Sequence, residues 1–157
     1  MSVSLYGNGN TIIQVVPVVQ TLSITTTSTS YVATGLTATI TPQSTNSKIL
    51  IMAQLTGSGL PAGVTGGEGY AIYRNGSSLW APSPADGTGP FMCYGANSSA
   101  VFSTVPLNYV DSPATTSATT YAIYWRSYNG NSVALGGGGT SATLGQHSLI
   151  LMEISGS

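Results

Sequence analysis

The run of residues 11–19, Thr-Ile-Ile-Gln-Val-Val-Pro-Val-Val, constrains the fold more than any other stretch of the chain. Its β-branched side chains are stiff at χ1 and favour a strand over a helix. Pro17 lacks an N–H, which confines the run to an edge strand or an extended arm. Apolar residues occupy both faces, so one contact surface does not bury the run. We therefore predict an N-terminal arm over residues 1–21 that lies along the main domain and also contacts another subunit.

The assembly interface predicted for this arm is formed by its Ile and Val side chains. These are Ile12, Ile13, Val15, Val16, Val18 and Val19. An ordinary first strand buried within its own domain is the alternative interpretation, and the sequence leaves both open. In either case the remainder, residues 22–157, is predicted to form one domain, because its length suits a single core.

Charge is unusually scarce in this chain. Lys and Arg number 3 and Asp and Glu number 4, which makes 4% of the residues, against about 25% in ordinary soluble domains. A surface so poor in charge suits secretion or packing into a larger particle. The net charge of −1 argues against nucleic-acid binding, which needs clustered cations. No basic region precedes an apolar segment at the start, and no apolar run approaches about 20 residues, so we expect neither a signal peptide nor membrane insertion.

Period-two alternation and turn signals indicate strands throughout the chain. Leu36, Ala38 and Ile40 alternate with threonines, which is typical of a half-buried strand. The nearly continuous apolar runs 48–55 and 148–154 predict strands buried on both faces.

Turn signals separate these strands. Asn75-Gly76 and Asn129-Gly130 each predict a β-hairpin, and residues 57–69 predict a glycine-rich loop. The sequence therefore indicates an all-β domain, an antiparallel β-sandwich or jelly roll of eight to ten strands.

The inventory of reactive side chains does not predict an enzyme. His147 is the only histidine, placed where it would cap a turn or face solvent. One histidine and the single cysteine, Cys93, do not make a metal site. The acids show no spacing that pairs them for catalysis; they are Glu68, Asp86, Asp111 and Glu153. We expect no catalytic residue, no metal and no cofactor.

Several polar and aromatic residues are better explained structurally. Asp111 is predicted to accept backbone N–H bonds in an Asx-turn that fixes the corner at Pro113. Lys48 and Glu153 flank the two most apolar strands and are expected to meet if those strands are neighbours. Trp80 lies beside a proline-rich segment, where contact with a ligand or partner and ordinary packing are equally expected.

Six segments together resemble a domain found in tailed-bacteriophage fibre proteins. They are Thr29-Ser-Tyr-Val-Ala-Thr-Gly-Leu36, Ile40-Thr-Pro42, Ser47-Lys-Ile-Leu50, Tyr73-Arg74, Asp111-Ser-Pro-Ala-Thr-Thr-Ser-Ala-Thr-Thr-Tyr121, and Ser148-Leu-Ile-Leu-Met-Glu-Ile154. The resemblance spans about residues 14 to 155. It implies a non-catalytic β-sandwich module, usually a homotrimer, on the exterior of a virion.

Two functions follow from these expectations. The resemblance favours a tail-fibre-type module that binds a host glycan or receptor. The short stretch ahead of the module and the apolar arm favour a capsid decoration protein that stabilises the head. In both cases the partners are further copies of the chain and other virion proteins of the tail or capsid.

Overall fold

The computed structural model describes residues 11–60, 62–63, 65–81, 92–96, 101–136 and 145–156. All regular structure within these residues is β-strand, which confirms the all-β prediction. In chain order the strands are β1 (Ile12–Leu22), β2 (Ile24–Thr26), β3 (Val32–Ile40), β4 (Lys48–Leu60), β5 (Thr65–Arg74), β6 (Ser77–Trp80), β7 (Met92–Ala96), β8 (Val101–Asp111), β9 (Thr119–Ser127), β10 (Val133–Leu135) and β11 (Gly145–Ile154). No helix in this part of the chain is long and apolar enough to cross a membrane.

The strands form two antiparallel sheets. Sheet A has the order β1-β11-β4-β10-β2, with β8 also paired to β4. Sheet B has the order β3-β9-β5-β6, with β7 also paired to β5. The chain changes sheet at β3, β4, β5, β8, β9 and β10. The predicted β-sandwich is therefore confirmed.

The core lies between the sheets and is built by alternation along each strand. Leu36, Ala38 and Ile40 of β3 all point inward, as the alternation predicts. Sheet A contributes Ile49 and Ile51 from β4, both fully buried. Each fully buried aliphatic side chain contributes roughly 1.5–3 kcal/mol. Among the side chains that the structure describes, the largest fully buried ones are Trp125, Tyr70 and Tyr121 of sheet B.

Sheet A has a proline in each of its long outer strands. Pro17 of β1 lies opposite Ile150, and Pro106 of β8 lies opposite Gln54. Proline is tolerated at such edges because no further strand needs its missing N–H. β1 pairs with β11 from the Ile12–Ile154 position onward, so residues 12–21 of the predicted arm belong to sheet A. Residues 1–10 lie outside the described residues.

One of the two predicted hairpins is present. Asn75 and Gly76 have φ values of 49° and 80° and join β5 to β6. Gly130 also turns the chain, with a φ of 83°, but the hairpin predicted there is wrong. β9 is already paired on one side with β3 and on the other with β5. The segment that follows Gly130 therefore finds no free edge of β9 to pair with, and it joins sheet A as β10.

The loop predicted over residues 57–69 is largely strand. β4 continues to Leu60 and pairs with β8 beyond a bulge, and β5 begins at Thr65 and pairs with β7. The ladder hydrogen bonds outweigh the weak strand propensity of glycine. Glycine is favoured at position 66 because its φ is +154°, which other residues rarely adopt; a Cβ there would also displace the end of the Asn129 side chain.

Candidate assembly surface

The outer face of sheet A carries aliphatic side chains across four strands. Strand registers arrange them in three rows: Val15–Met152–Leu50–Val110, Pro17–Ile150–Met52–Asn108 and Val19–Ser148–Gln54–Pro106. We call these twelve residues the aliphatic face. Nine of them are apolar, three are uncharged polar residues and none is charged. Val15, Val19 and Val110 are each about half exposed, at 48%, 60% and 52%.

This face corrects the interpretation of two strands. The runs 48–55 and 148–154 do form the centre of sheet A, as predicted. Their inward residues are buried, but Met52 is 38% exposed and Ile150 and Met152 are only half-buried. A contiguous patch of apolar residues left at the surface indicates an interaction site. The sequence could not show whether the second face was covered by this chain or by a partner.

A shallow depression of about 210 Å³ lies on the aliphatic face. Met52, Ile150 and Pro106 supply its apolar lining, and Gln54, Asn108 and Ser148 supply polar groups. Sites for small molecules usually enclose roughly 300–1,000 Å³. The depression is therefore better suited to a protruding side chain of another protein than to a free ligand.

The six predicted interface residues of β1 divide between two environments. Val16 and Val18 pack against the core of their own sandwich. Ile13 is half-buried. Ile12, Val15 and Val19 are exposed, at 56%, 48% and 60%. The strand therefore fits both sequence-based alternatives in part: one side is buried in its own domain and the other is open.

Asp111 has partners other than those predicted. It is the last residue of β8, and its carboxylate accepts from Nη1 of Arg74 at 2.8 and 3.0 Å and from the Tyr121 hydroxyl at 2.7 Å. The predicted Asx-turn is absent because the carboxylate points into the sandwich, where it is 7% exposed. Burial and the neighbouring carboxylate raise the pKa of Tyr121. The cluster joins sheets A and B; Pro113 follows it as a half-buried residue.

His147 is buried, which contradicts the predicted capping or solvent-facing position. Its Nδ1 accepts from the N–H of Thr56 at 3.2 Å, so the proton belongs on Nε2, which lies 3.2 Å from the Leu22 carbonyl. Burial lowers the pKa of the ring, and the Leu22 contact offsets this only in part. The histidine therefore joins β1, β4 and β11 in its neutral form.

Glu153 is fully buried at the other end of β11. Its carboxylate accepts from Nε2 of Gln14 at 2.5 Å and from the N–H of Gln43 at 2.7 Å. Burial alone would raise its pKa, but these hydrogen bonds lower it below the usual value. Lys48 is exposed and does not form the expected pair, although β4 and β11 are neighbours.

The other acids do not form a reactive centre in the described residues. Glu68 is buried within β5, not in the loop predicted for it. Asp86 lies outside the described residues. No group of three or more described His, Cys, Asp or Glu residues is placed to hold a metal ion.

The outer face of sheet B differs in chemistry from the aliphatic face. Tyr73 and Tyr124 stack with ring centroids 3.8 Å apart, and both are half-buried. Nearby, the Arg126 guanidinium lies 5.4 Å from the centroid of the Tyr31 ring. We call these four residues the tyrosine face. Rings that carry hydroxyls suit contacts that are partly apolar and partly hydrogen-bonded.

Trp80, predicted to contact a ligand, a partner or its own domain, lies on β6. Its ring is half-buried and packs against the core. The centroid of the Tyr109 ring in sheet A is 6.3 Å away. The structure therefore gives Trp80 an internal packing role, with a minor part of the ring left exposed.

No protein-family model matches this chain, and no curated protein matches it. Its function is therefore inferred from its own surfaces. The aliphatic face, the tyrosine face and the internally bonded polar groups are the features to be explained.

Proposed function

We propose that this chain is a non-enzymatic structural protein on the exterior of a bacteriophage particle. The observation that carries the proposal is the aliphatic face, whose three rows contain no charged residue. An uncharged apolar surface spanning four strands is typical of an assembly interface. The resemblance to fibre proteins is the reason for proposing that this interface is used on a bacteriophage particle.

The residues that carry this resemblance meet in the structure. Arg74 belongs to one segment of the pattern, Asp111 and Tyr121 are the two ends of another, and the three residues form one hydrogen-bonded cluster. Glu153, in the last segment, accepts from the N–H of Gln43, which directly follows Pro42 of the second segment. These long-range contacts give the residues of the pattern a structural role in this chain, which Ser and Thr composition alone does not.

The polar groups support a structural rather than a catalytic role. A general acid or base must reach a substrate proton. The carboxylates of Asp111 and Glu153 and both ring nitrogens of His147 are bonded within the sandwich. Their bonds join strands, so their ionisable atoms are already used for stability.

A tail-fibre-type host-binding module is the leading assignment. The tyrosine face supports it, because amphipathic rings suit a host glycan or receptor. Phage carrying Tyr124→Ser are expected to assemble normally but to adsorb less to host cells. Tyr128→Ser is the matched control, since Tyr128 is 40% exposed and belongs to no described ring stack. Equal adsorption of both variants and wild type would contradict host binding through this face.

Capsid decoration is the alternative. It is supported by the open side of β1, where Ile12, Val15 and Val19 could lie across neighbouring capsid subunits. Electron microscopy of phage labelled with an antibody against this chain separates the two assignments. Labelled tail tips support the fibre-type module and labelled heads support decoration. Particles without any label would contradict the proposed function as a whole.

A further inference from the structure

We propose that the aliphatic face is the contact between copies of this chain, so that each copy covers the same face of another. This inference rests on the proposed structural function and names the partner of its interface. It moves the assembly site from β1 alone, as the sequence suggested, to a surface shared by β1, β11, β4 and β8.

Charge favours a second copy as the occupant. Contact between identical or overlapping patches brings equal charges together, and such contact is disfavoured when the patch is charged. The twelve residues of the aliphatic face include no charge, so the face is compatible with itself. Lys48 stands at its border, beside Ile154 in the next row, where it stays in solvent.

The size of the face is close to the lower limit for a specific interface. Four strands about 4.8 Å apart and three rows about 6.8 Å apart give a flat footprint of about 400 Å². Two facing copies double this figure, and the projecting side chains increase it further. The total approaches the roughly 1,000 Å² that a specific protein interface needs.

The polar corner of the face gives the contact its geometry. Gln54, Asn108 and Ser148 border the depression that Met52 and Ile150 also line. An uncharged amide inside an apolar interface needs a hydrogen-bond partner. Arrangements of the two copies that cover Gln54 or Asn108 without supplying a partner are therefore disfavoured. A protruding valine or methionine of the second copy would fit the depression itself.

The edges of sheet A do not offer an equivalent contact. Joining sheets edge to edge requires free N–H groups along the outer strands, and Pro17 and Pro106 interrupt that row in β1 and β8. Both prolines also belong to the aliphatic face. Copies therefore associate by stacking faces, which permits a closed assembly.

The test is the mass of the purified full chain at about 50 μM, measured by sedimentation equilibrium. Wild type is expected at two or more times the 15.9 kDa of a single chain. Met52→Glu places a charge in the middle row and is expected to sediment at 15.9 kDa. Val110→Lys, in an adjacent row, is expected to do the same. Ala33→Glu is the matched control, because Ala33 is an exposed strand residue on sheet B, and it is expected to keep the wild-type mass.

Circular dichroism identifies variants that retain the β-sandwich, and the half-exposed Val110 provides a folded variant if Met52→Glu unfolds. A monomeric wild type overturns the inference, as does a folded Val110→Lys that keeps the wild-type mass. Particle labelling keeps the two proposals separate. A monomer that still decorates phage contradicts only this inference, whereas an oligomer absent from phage contradicts only the proposed function.

Discussion

Replacing Asp111 tests the buried cluster that joins the two sheets. Asp111→Ala removes the carboxylate that accepts the hydrogen bond from the Tyr121 hydroxyl, and Tyr121 is 0% exposed. An unsatisfied buried hydroxyl costs about 1–3 kcal/mol. The Arg74 side chain is 32% exposed, so water replaces most of that contact and the lost ion pair adds only about 0–1 kcal/mol. We expect the free energy of unfolding to fall by about 1–4 kcal/mol.

A second substitution separates the hydroxyl from other effects of the mutation. Tyr121→Phe alone is expected to cost about 0.5–1.5 kcal/mol, because it removes one hydrogen bond and leaves Asp111 paired with Arg74. In the Asp111→Ala background the same change removes the unsatisfied hydroxyl and is expected to cost nothing or to stabilise. The two substitutions should therefore be non-additive, with a coupling of about 1–2 kcal/mol.

Urea unfolding at pH 7 measures these energies. All variants are compared at one protein concentration, because association contributes to apparent stability. Asp111→Asn is the conservative control: its amide oxygen still accepts from Tyr121, so it should lose less stability than Asp111→Ala. Additivity of the Asp111→Ala and Tyr121→Phe effects to within about 0.5 kcal/mol would refute the coupling.

Three further predictions follow from the β1, β4 and β11 region. The pKa of His147 is lowered in the folded state, so its contribution to stability is fully present above about pH 6.5 and declines as the pH falls toward the folded pKa. Urea unfolding between pH 7.5 and 5.5 should show this loss of stability in wild type and much less of it in His147→Leu. Gly136→Ala should prevent folding, as measured by circular dichroism, because the φ of Gly136 is +88° and a Cβ would lie 1.8 Å from the Leu22 carbonyl oxygen. Gly76→Ala is the control: Gly76 has a φ of +80° but nothing within 4 Å of the added Cβ, so this change should lower the free energy of unfolding by only about 1–2 kcal/mol. Deleting residues 1–19 should unfold the sandwich as well as prevent assembly, since it removes most of the strand paired with β11; a truncated chain with a wild-type melting temperature would show that β1 acts only between subunits.

Local patterns in the sequence predicted the elements that depend on neighbouring residues. The alternation of Leu36, Ala38 and Ile40 has the period of a strand, and the structure buries all three. Asn75-Gly76 favours positive φ at both positions, and the predicted hairpin forms. These features depend on backbone sterics and side-chain period, which are encoded within a few residues.

Features that depend on distant partners were not predictable in the same way. His147 bonds to Thr56 and Leu22, which are 91 and 125 residues away in sequence. The acceptor role of Asp111 likewise depends on Arg74, from a strand of the other sheet. The aliphatic face could not be predicted from the sequence for a related reason. An apolar run on β4 or β11 has the same pattern whether its second face contacts its own domain or a partner.

The pairing of β1 with β11 has a consequence for how the protein is made. Partners in this ladder are far apart in sequence, from Leu22 with Gly145 to Ile12 with Ile154. A ribosome adding about 5–20 residues per second needs roughly 6–28 s to cover such a separation. During that time β1 has left the ribosome while its neighbour in the sheet does not yet exist. Sheet A is therefore completed only after β11 has been synthesised, because β11 is the strand that lies between β1 and β4.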